Sequence, residues 1–163
     1  MRAKFGWRFI SLSVLMAVQV VAGSAMASRN FSALMAVPND PTEAGCFDHL
    51  SDGIHLGWIR NSGCTGTRAV WLPLAVDSGG WPSFYPVNIS VTVEGFTPAP
   101  GQEVACGLYS VNEGGTITAG PWGNIPFAQD SVTLGPVVLQ NQRESAVIMC
   151  FLPSGSIVFN YHY

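Results

Sequence analysis

Val87-Asn88-Ile89-Ser90-Val91-Thr92-Val93-Glu94 sets apolar, β-branched residues against polar ones in strict alternation. A period of two puts Val87, Ile89, Val91 and Val93 on one face of an extended strand and Asn88, Ser90, Thr92 and Glu94 on the other. β-Branched side chains pack well on a pleated surface and lose rotamer freedom in a helix, so the stretch is a strand with one buried and one wet face. Such strands belong to antiparallel sheets that turn one side to solvent.

Working outward from this strand, the chain keeps the same style. Downstream, Pro98-Ala99-Pro100-Gly101 is a break and Val104 to Val111 is a strand carrying Cys106. Asn112-Glu113-Gly114-Gly115 is a turn from which a short strand, Thr116–Thr118, returns as a hairpin. Gly120 to Pro126, which contains Trp122, reads as a loop. Three strands follow, Ser131 to Leu139, Ser145 to Leu152 and Ser156 to Tyr161, separated by Gln140-Asn141-Gln142 and Pro153-Ser154-Gly155.

Upstream, Asp77-Ser78-Gly79-Gly80 is a turn signal. Ala69 to Val76 is a compact apolar run with Pro73 inside it. Proline cannot donate to a ladder, so this is an edge or bulged strand. A further strand is expected at Ile54–Ile59. Residues 28–45 form a leader or edge segment, with an apolar run from Phe31 to Val37 and breakers at Pro38, Pro41 and Gly45. No apolar stripe at helical spacing persists, because Gly and Pro recur too often. The expectation is an all-β domain over residues 46–163, an antiparallel β-sandwich of about seven to eight strands.

The first residues have another character. Arg2, Lys4 and Arg8 precede an almost continuous apolar run from Phe9 to Ala22, and Ala25-Met26-Ala27 fits the small-x-small pattern of signal peptidase. The run is shorter than the roughly 20 apolar residues of a spanning helix. Residues 1–27 therefore read as a signal peptide cleaved near Ala27, and the protein as secreted or periplasmic. No later stretch is long and apolar enough to span a bilayer. Removing 27 of 163 residues leaves 136, one ordinary domain with a real core.

That domain carries four arginines, no lysine and ten acids, a formal charge of −6. Nucleic acids and anionic membranes are bound through clustered cations, so both are poor partners, and no nucleic-acid role is expected. All four cysteines lie in this part, 18, 42 and 44 positions apart. Structural zinc favours short paired spacings, so the cysteines read as two disulfides of an oxidising compartment. Four cysteines allow three pairings. The preferred one is Cys46–Cys64, pinning a glycine-rich segment, with Cys106–Cys150 joining two strands. The series Cys46, Trp58, Cys106 invites an immunoglobulin comparison, but Val104 stands where that fold tends to place a tyrosine.

Chemistry is sparse. Asp48, His49, Asp52 and His55 are the densest set of potential metal or acid–base groups, yet their spacing matches no metal motif and reads as a polar loop. No Gly-x-Ser-x-Gly elbow occurs. Ser154 and Ser156 flank a turn glycine, and His162 sits next to the last residue. A metal-assisted hydrolase centred on His49 and His55 is thus the third choice, and no cofactor is implied. Aromatic residues point elsewhere. Flat rings on a rigid sandwich can stack on the apolar faces of sugars, and Trp81, Tyr85 and Trp122 are the surface candidates. Trp71, inside an apolar strand, reads as core.

Cys106-Gly107-Leu108-Tyr109, followed by Cys150-Phe151-Leu152-Pro153-Ser154-Gly155-Ser156-Ile157 and Tyr161, resembles a group of small exported bacterial proteins that end in a Cys-x-Leu-Pro strand, a short turn and a last strand with a tyrosine. The resemblance implies an exported β-rich domain with paired cysteines. That group brings no established activity, so no residue role is carried over. The expected function is a non-enzymatic binding or surface-structural module, its partner an extracellular glycan or another exported protein. A carbohydrate-binding module using Trp81, Tyr85 or Trp122 is the alternative.

Overall fold

The computed structural model describes residues 30–50, 57–74, 86–140 and 143–163. Residues 1–27, read from the sequence as a signal peptide, lie outside them. The described chain is nearly all β, with eleven strands in two antiparallel sheets.

One sheet has the order β3-β4-β11-β6-β9, and β1 pairs with β11 off that path. Its strands are β1 (Asn30–Ser32), β3 (Phe47–Leu50), β4 (Trp58–Asn61), β6 (Val87–Thr97), β9 (Ala128–Leu139) and β11 (Ile157–His162). The other has the order β2-β5-β10-β7-β8, built from β2 (Val37–Pro38), β5 (Arg68–Leu74), β7 (Val104–Val111), β8 (Ile117–Ile125) and β10 (Ser145–Leu152). Short 3-10 turns at Ala33–Met35 and Pro41–Cys46 carry the early chain between sheets. The second is capped by Asp40, whose carboxylate accepts from the Thr42 amide and hydroxyl and is thereby held below its usual pKa.

The sandwich therefore exceeds the seven or eight strands expected. The additions, β1, β2 and β3, are only three, two and four residues long, too short for a periodic signal. The short return strand expected at Thr116–Thr118 is longer than read: β8 pairs with β7 as a hairpin and runs on through most of the stretch read as the Gly120–Pro126 loop. It runs along a sheet edge, where Pro121 is tolerated.

The alternation in β6 works as expected. Ile89, Val91 and Val93 are buried and face the core, while Asn88 and Ser90 lie outside. Opposite them stand Val70, Leu72, Val104, Leu108, Ile148 and Leu152 of the five-stranded sheet, all 0% exposed. Tyr161 of β11 reaches across this core. Its hydroxyl donates to the Pro73 carbonyl of the other sheet at 2.6 Å, and its ring stacks on Phe31 with centroids 5.3 Å apart. Burial pushes the phenol up to about 12, so it stays a protonated donor through the neutral range. Asn61, also fully buried, donates to the Gly66 and Leu152 carbonyls, both at 2.9 Å.

The disulfides are Cys46–Cys64 and Cys106–Cys150. The second joins two residues that are direct cross-strand partners on β7 and β10, and both are buried. Neighbouring strands of one sheet are thus tied on their core side. The pairing also removes the basis of the immunoglobulin comparison, which would have linked Cys46 to Cys106.

Candidate binding face

The two outer faces of the sandwich differ in chemistry. On the six-stranded sheet, Asn88, Ser90, Thr92 and Glu94 of β6 lie beside Thr133 of β9 and Asn160 and His162 of β11, with Thr92 and Thr133 hydroxyls 3.1 Å apart. A shallow depression there is lined by Asn30, Ser32, Glu94, Asn160 and His162, together with Phe31.

The five-stranded sheet is apolar on both sides. In β5, Val70, Leu72 and Leu74 point inward and Ala69, Trp71 and Pro73 outward. In β10, Ala146, Ile148, Cys150 and Leu152 are buried, leaving Val147, Met149 and Phe151 outside. In β7, Val104, Cys106 and Leu108 fill the core while Ala105, Gly107 and Tyr109 face out. Register assembles these into three rungs across β5, β10, β7 and β8: Pro73–Val147–Tyr109–Ala119, Trp71–Met149–Gly107–Trp122, and Ala69–Phe151–Ala105–Asn124.

Trp122 reaches its rung through a bulge. The register shifts between Gly107 and Tyr109, where β8 carries one more residue than β7. Without that residue Pro121 would stand opposite Gly107. The bulge puts the indole there instead, as bulges do when they re-aim a side chain. Gly107 then makes room for it. A Cβ added at Gly107 would lie 2.6–2.9 Å from three atoms of the indole, so the ring covers the spot where any other side chain would rise.

Four rings are linked in this way. Trp122 and Phe151 are near-parallel, 23° apart in plane with centroids 5.6 Å apart. Tyr109 stands edge-on to Trp122 at 88° and 5.8 Å, and Trp71 meets Tyr109 at 65° and 5.8 Å. The stacked Trp122–Phe151 pair forms the floor and Tyr109 the wall. Aromatic contacts of this offset and edge-on kind are favourable and fix the ring orientations. Trp122 remains 45% exposed. The polar partners sit at the margins. The Trp71 indole donates to the Asn39 side chain at 2.7 Å, and Asn124 donates to the Glu103 carboxylate at 2.6 Å. Partial burial raises the Tyr109 phenol above its ordinary value.

Of the three aromatic candidates read from the sequence, Trp122 is on this face. Trp81 and Tyr85 lie outside the described residues. Trp71, expected in the core, is instead on the outer side of β5, because Val70 and Leu72 take the inward positions. Tyr109 and Phe151 were missed altogether. Their signal was present: β5, β7 and β10 lack the polar alternation of β6, and an antiparallel sandwich strand that is apolar throughout must show apolar residues to the outside.

The other candidates do not converge. Asp48 accepts a hydrogen bond from the Ser62 hydroxyl, and His49 Nε2 lies 3.3 Å from the Ala36 carbonyl. As successive residues of β3 they point to opposite faces. Asp52 and His55 lie outside the described residues. Among the described residues no three His, Cys, Asp or Glu side chains gather as metal ligands. No described helix is long and apolar enough to cross a membrane.

No family model and no curated protein matches the chain. Solved structures do. The isomalto-dextranase of Arthrobacter globiformis T6, complexed with panose, superposes with a TM-score of 0.52 at 12% identity, over 83% of this chain and 22% of that one. The present chain thus matches about a fifth of that enzyme's length. The C-terminal CBM6 of a marine laminarinase from Zobellia galactanivorans gives 0.47 at 8% identity, over 83% and 97% of the two chains. A carbohydrate-binding module of Cellvibrio mixtus lichenase 5A, in complex with cellotriose, gives 0.46 at 13% identity, over 82% and 94%. At these identities the first likeness is one of fold.

Proposed function

We propose that the protein is an exported, non-enzymatic carbohydrate-binding module that holds a sugar chain on the outer face of its five-stranded sheet. The observation that carries this is the ring floor: Trp122 lies over Gly107 and stacks on Phe151, with Tyr109 as a wall, and the indole stays 45% exposed. A pyranose ring has a C–H face that gains by leaving water against such a surface, while its hydroxyls need polar groups at the margin. Asn124 and Glu103 are placed to offer them. Contiguous exposed apolar surface marks an interaction site in general. The rings favour a sugar, because they are held stacked and edge-on instead of forming a simple aliphatic patch. A panose-complexed enzyme shares the fold over part of its length, which makes neutral glucans the first ligands to try.

Titration of the protein with soluble neutral polysaccharides is expected to change tryptophan fluorescence and to retard the protein in gels containing the ligand. Silence toward every neutral sugar class would leave a protein-docking or surface-structural role instead. Export rests on the leader read in residues 1–27 and on two disulfides. Mass spectrometry of the natural product is expected to find Ser28 or a near neighbour as the first residue; a retained Met1 ends the export proposal.

A further inference from the structure

The geometry points to a specificity element at the end of the aromatic face: a polar cleft, built around Glu103, that takes the hydroxyls of a neutral hexose chain and turns away uronates. It rests on the glycan reading of the face and adds to it the class of sugar and the residue that selects it.

The cleft is lined by Thr67, Gln102, Glu103 and Ser154, with glycine and proline backbone between them. These residues lie at one end of the five-stranded sheet, just before β5, just before β7 and just after β10. The floor leads there. From the Tyr109 rung to the Ala105 rung is four residues along β7, about 13 Å at strand rise. Glu103 follows two residues beyond Ala105. Its carboxylate accepts from Asn124, which occupies the same rung as Phe151. One hydrogen bond therefore joins cleft to floor and holds the carboxylate at the boundary.

The chemistry suits a neutral polyol. An ionised carboxylate is acceptor-only with about four lone-pair sites. Asn124 is its one side-chain partner among the described residues, so sites remain for the paired O–H donors of adjacent hexose hydroxyls. Charge-assisted bonds of this kind are roughly twice as strong as neutral ones. Gln102, Thr67 and Ser154 add groups that both donate and accept. Among the described residues, Glu103 is the charged side chain in the lining and no cation lines the cleft beside it. A sugar carboxylate entering here meets like charge and no compensation. Arg68 contacts the Thr67 carbonyl nearby, but its guanidinium is paired with Glu43 at 3.3 Å.

Calorimetric titration of the whole mature protein with cello-, laminari-, isomalto- and galacto-oligosaccharides and with an oligogalacturonide tests this. At least one neutral series is expected to bind, and the oligogalacturonide not to. Glu103→Ala should weaken the neutral ligand about tenfold or more, and Glu103→Gln should weaken it less while admitting the uronide. Glu103 is exposed, so both variants are expected to melt like the parent. If both bind as the parent does while Trp122→Ala is silent, the cleft is overturned and the aromatic face stands. Preference of the parent for the uronide also overturns the cleft. Absence of binding to every oligosaccharide overturns both.

Discussion

Replacing Cys106 and Cys150 by alanine together is expected to lower the melting temperature by about 10–20 °C. The two residues are 44 positions apart, and closing a loop of that size in the unfolded chain is worth about 4 kcal/mol in the chain-entropy account. The bond also sits at a registered β7–β10 pair inside the core, with both residues 0% exposed, so the variant loses buried sulfur packing as well. The Cys46–Cys64 bond closes a shorter loop, 18 positions, so its removal is expected to cost less, about 3 kcal/mol. Thermal unfolding followed by circular dichroism under non-reducing conditions measures both. A Cys106/Cys150 variant that melts with the parent would show that the bond constrains nothing the strands do not already fix.

The second large effect concerns ligand. Trp122→Ala is expected to reduce affinity for the bound glycan about thirtyfold or more, the size of an interface hot spot. Gly107→Val should do nearly the same with the tryptophan still present. Its new side chain would occupy space within 2.6–2.9 Å of the indole and force the ring off the sheet. Gly107 faces outward, so the substitution leaves the core untouched, and valine suits a strand. Parent-like melting with lost binding in both variants assigns the loss to the flat indole. Unchanged binding in Gly107→Val would mean that the ring's seat is irrelevant to the ligand.

The fold was legible where periodicity was clean. Val87 to Glu94 gave away a half-buried strand, and Ser145–Leu152 was bounded correctly because Gln140-Asn141-Gln142 and Pro153-Ser154-Gly155 flank it. Reading failed at β8. Gly120, Pro121 and Gly123 carry the composition of a loop, yet tertiary contact demands them. A Cβ at Gly123 would run into Val132, and one at Gly120 into Val137 and the Leu108 carbonyl. Glycine here records close approach of β8 to its neighbours, which composition alone cannot separate from a turn. The same confusion hid the site. Trp122 was picked out for standing in a loop and proves to stand on a bulged edge strand, while Tyr109 and Phe151 looked like strand interior because their neighbours are apolar too. Which face a residue takes depends on register, and register comes from pairings across 34 residues or more.

The Cys106–Cys150 bond has a meaning beyond stability. A slip of one residue between β7 and β10 would exchange the two sides of either strand, sending Tyr109 or Phe151 indoors and a leucine out. A covalent rivet directly beneath the floor forbids that slip. Whatever molecule lands on these rings meets a surface with little motion left to surrender, so its affinity is spared most of the entropy that softer sites lose on closing around a guest.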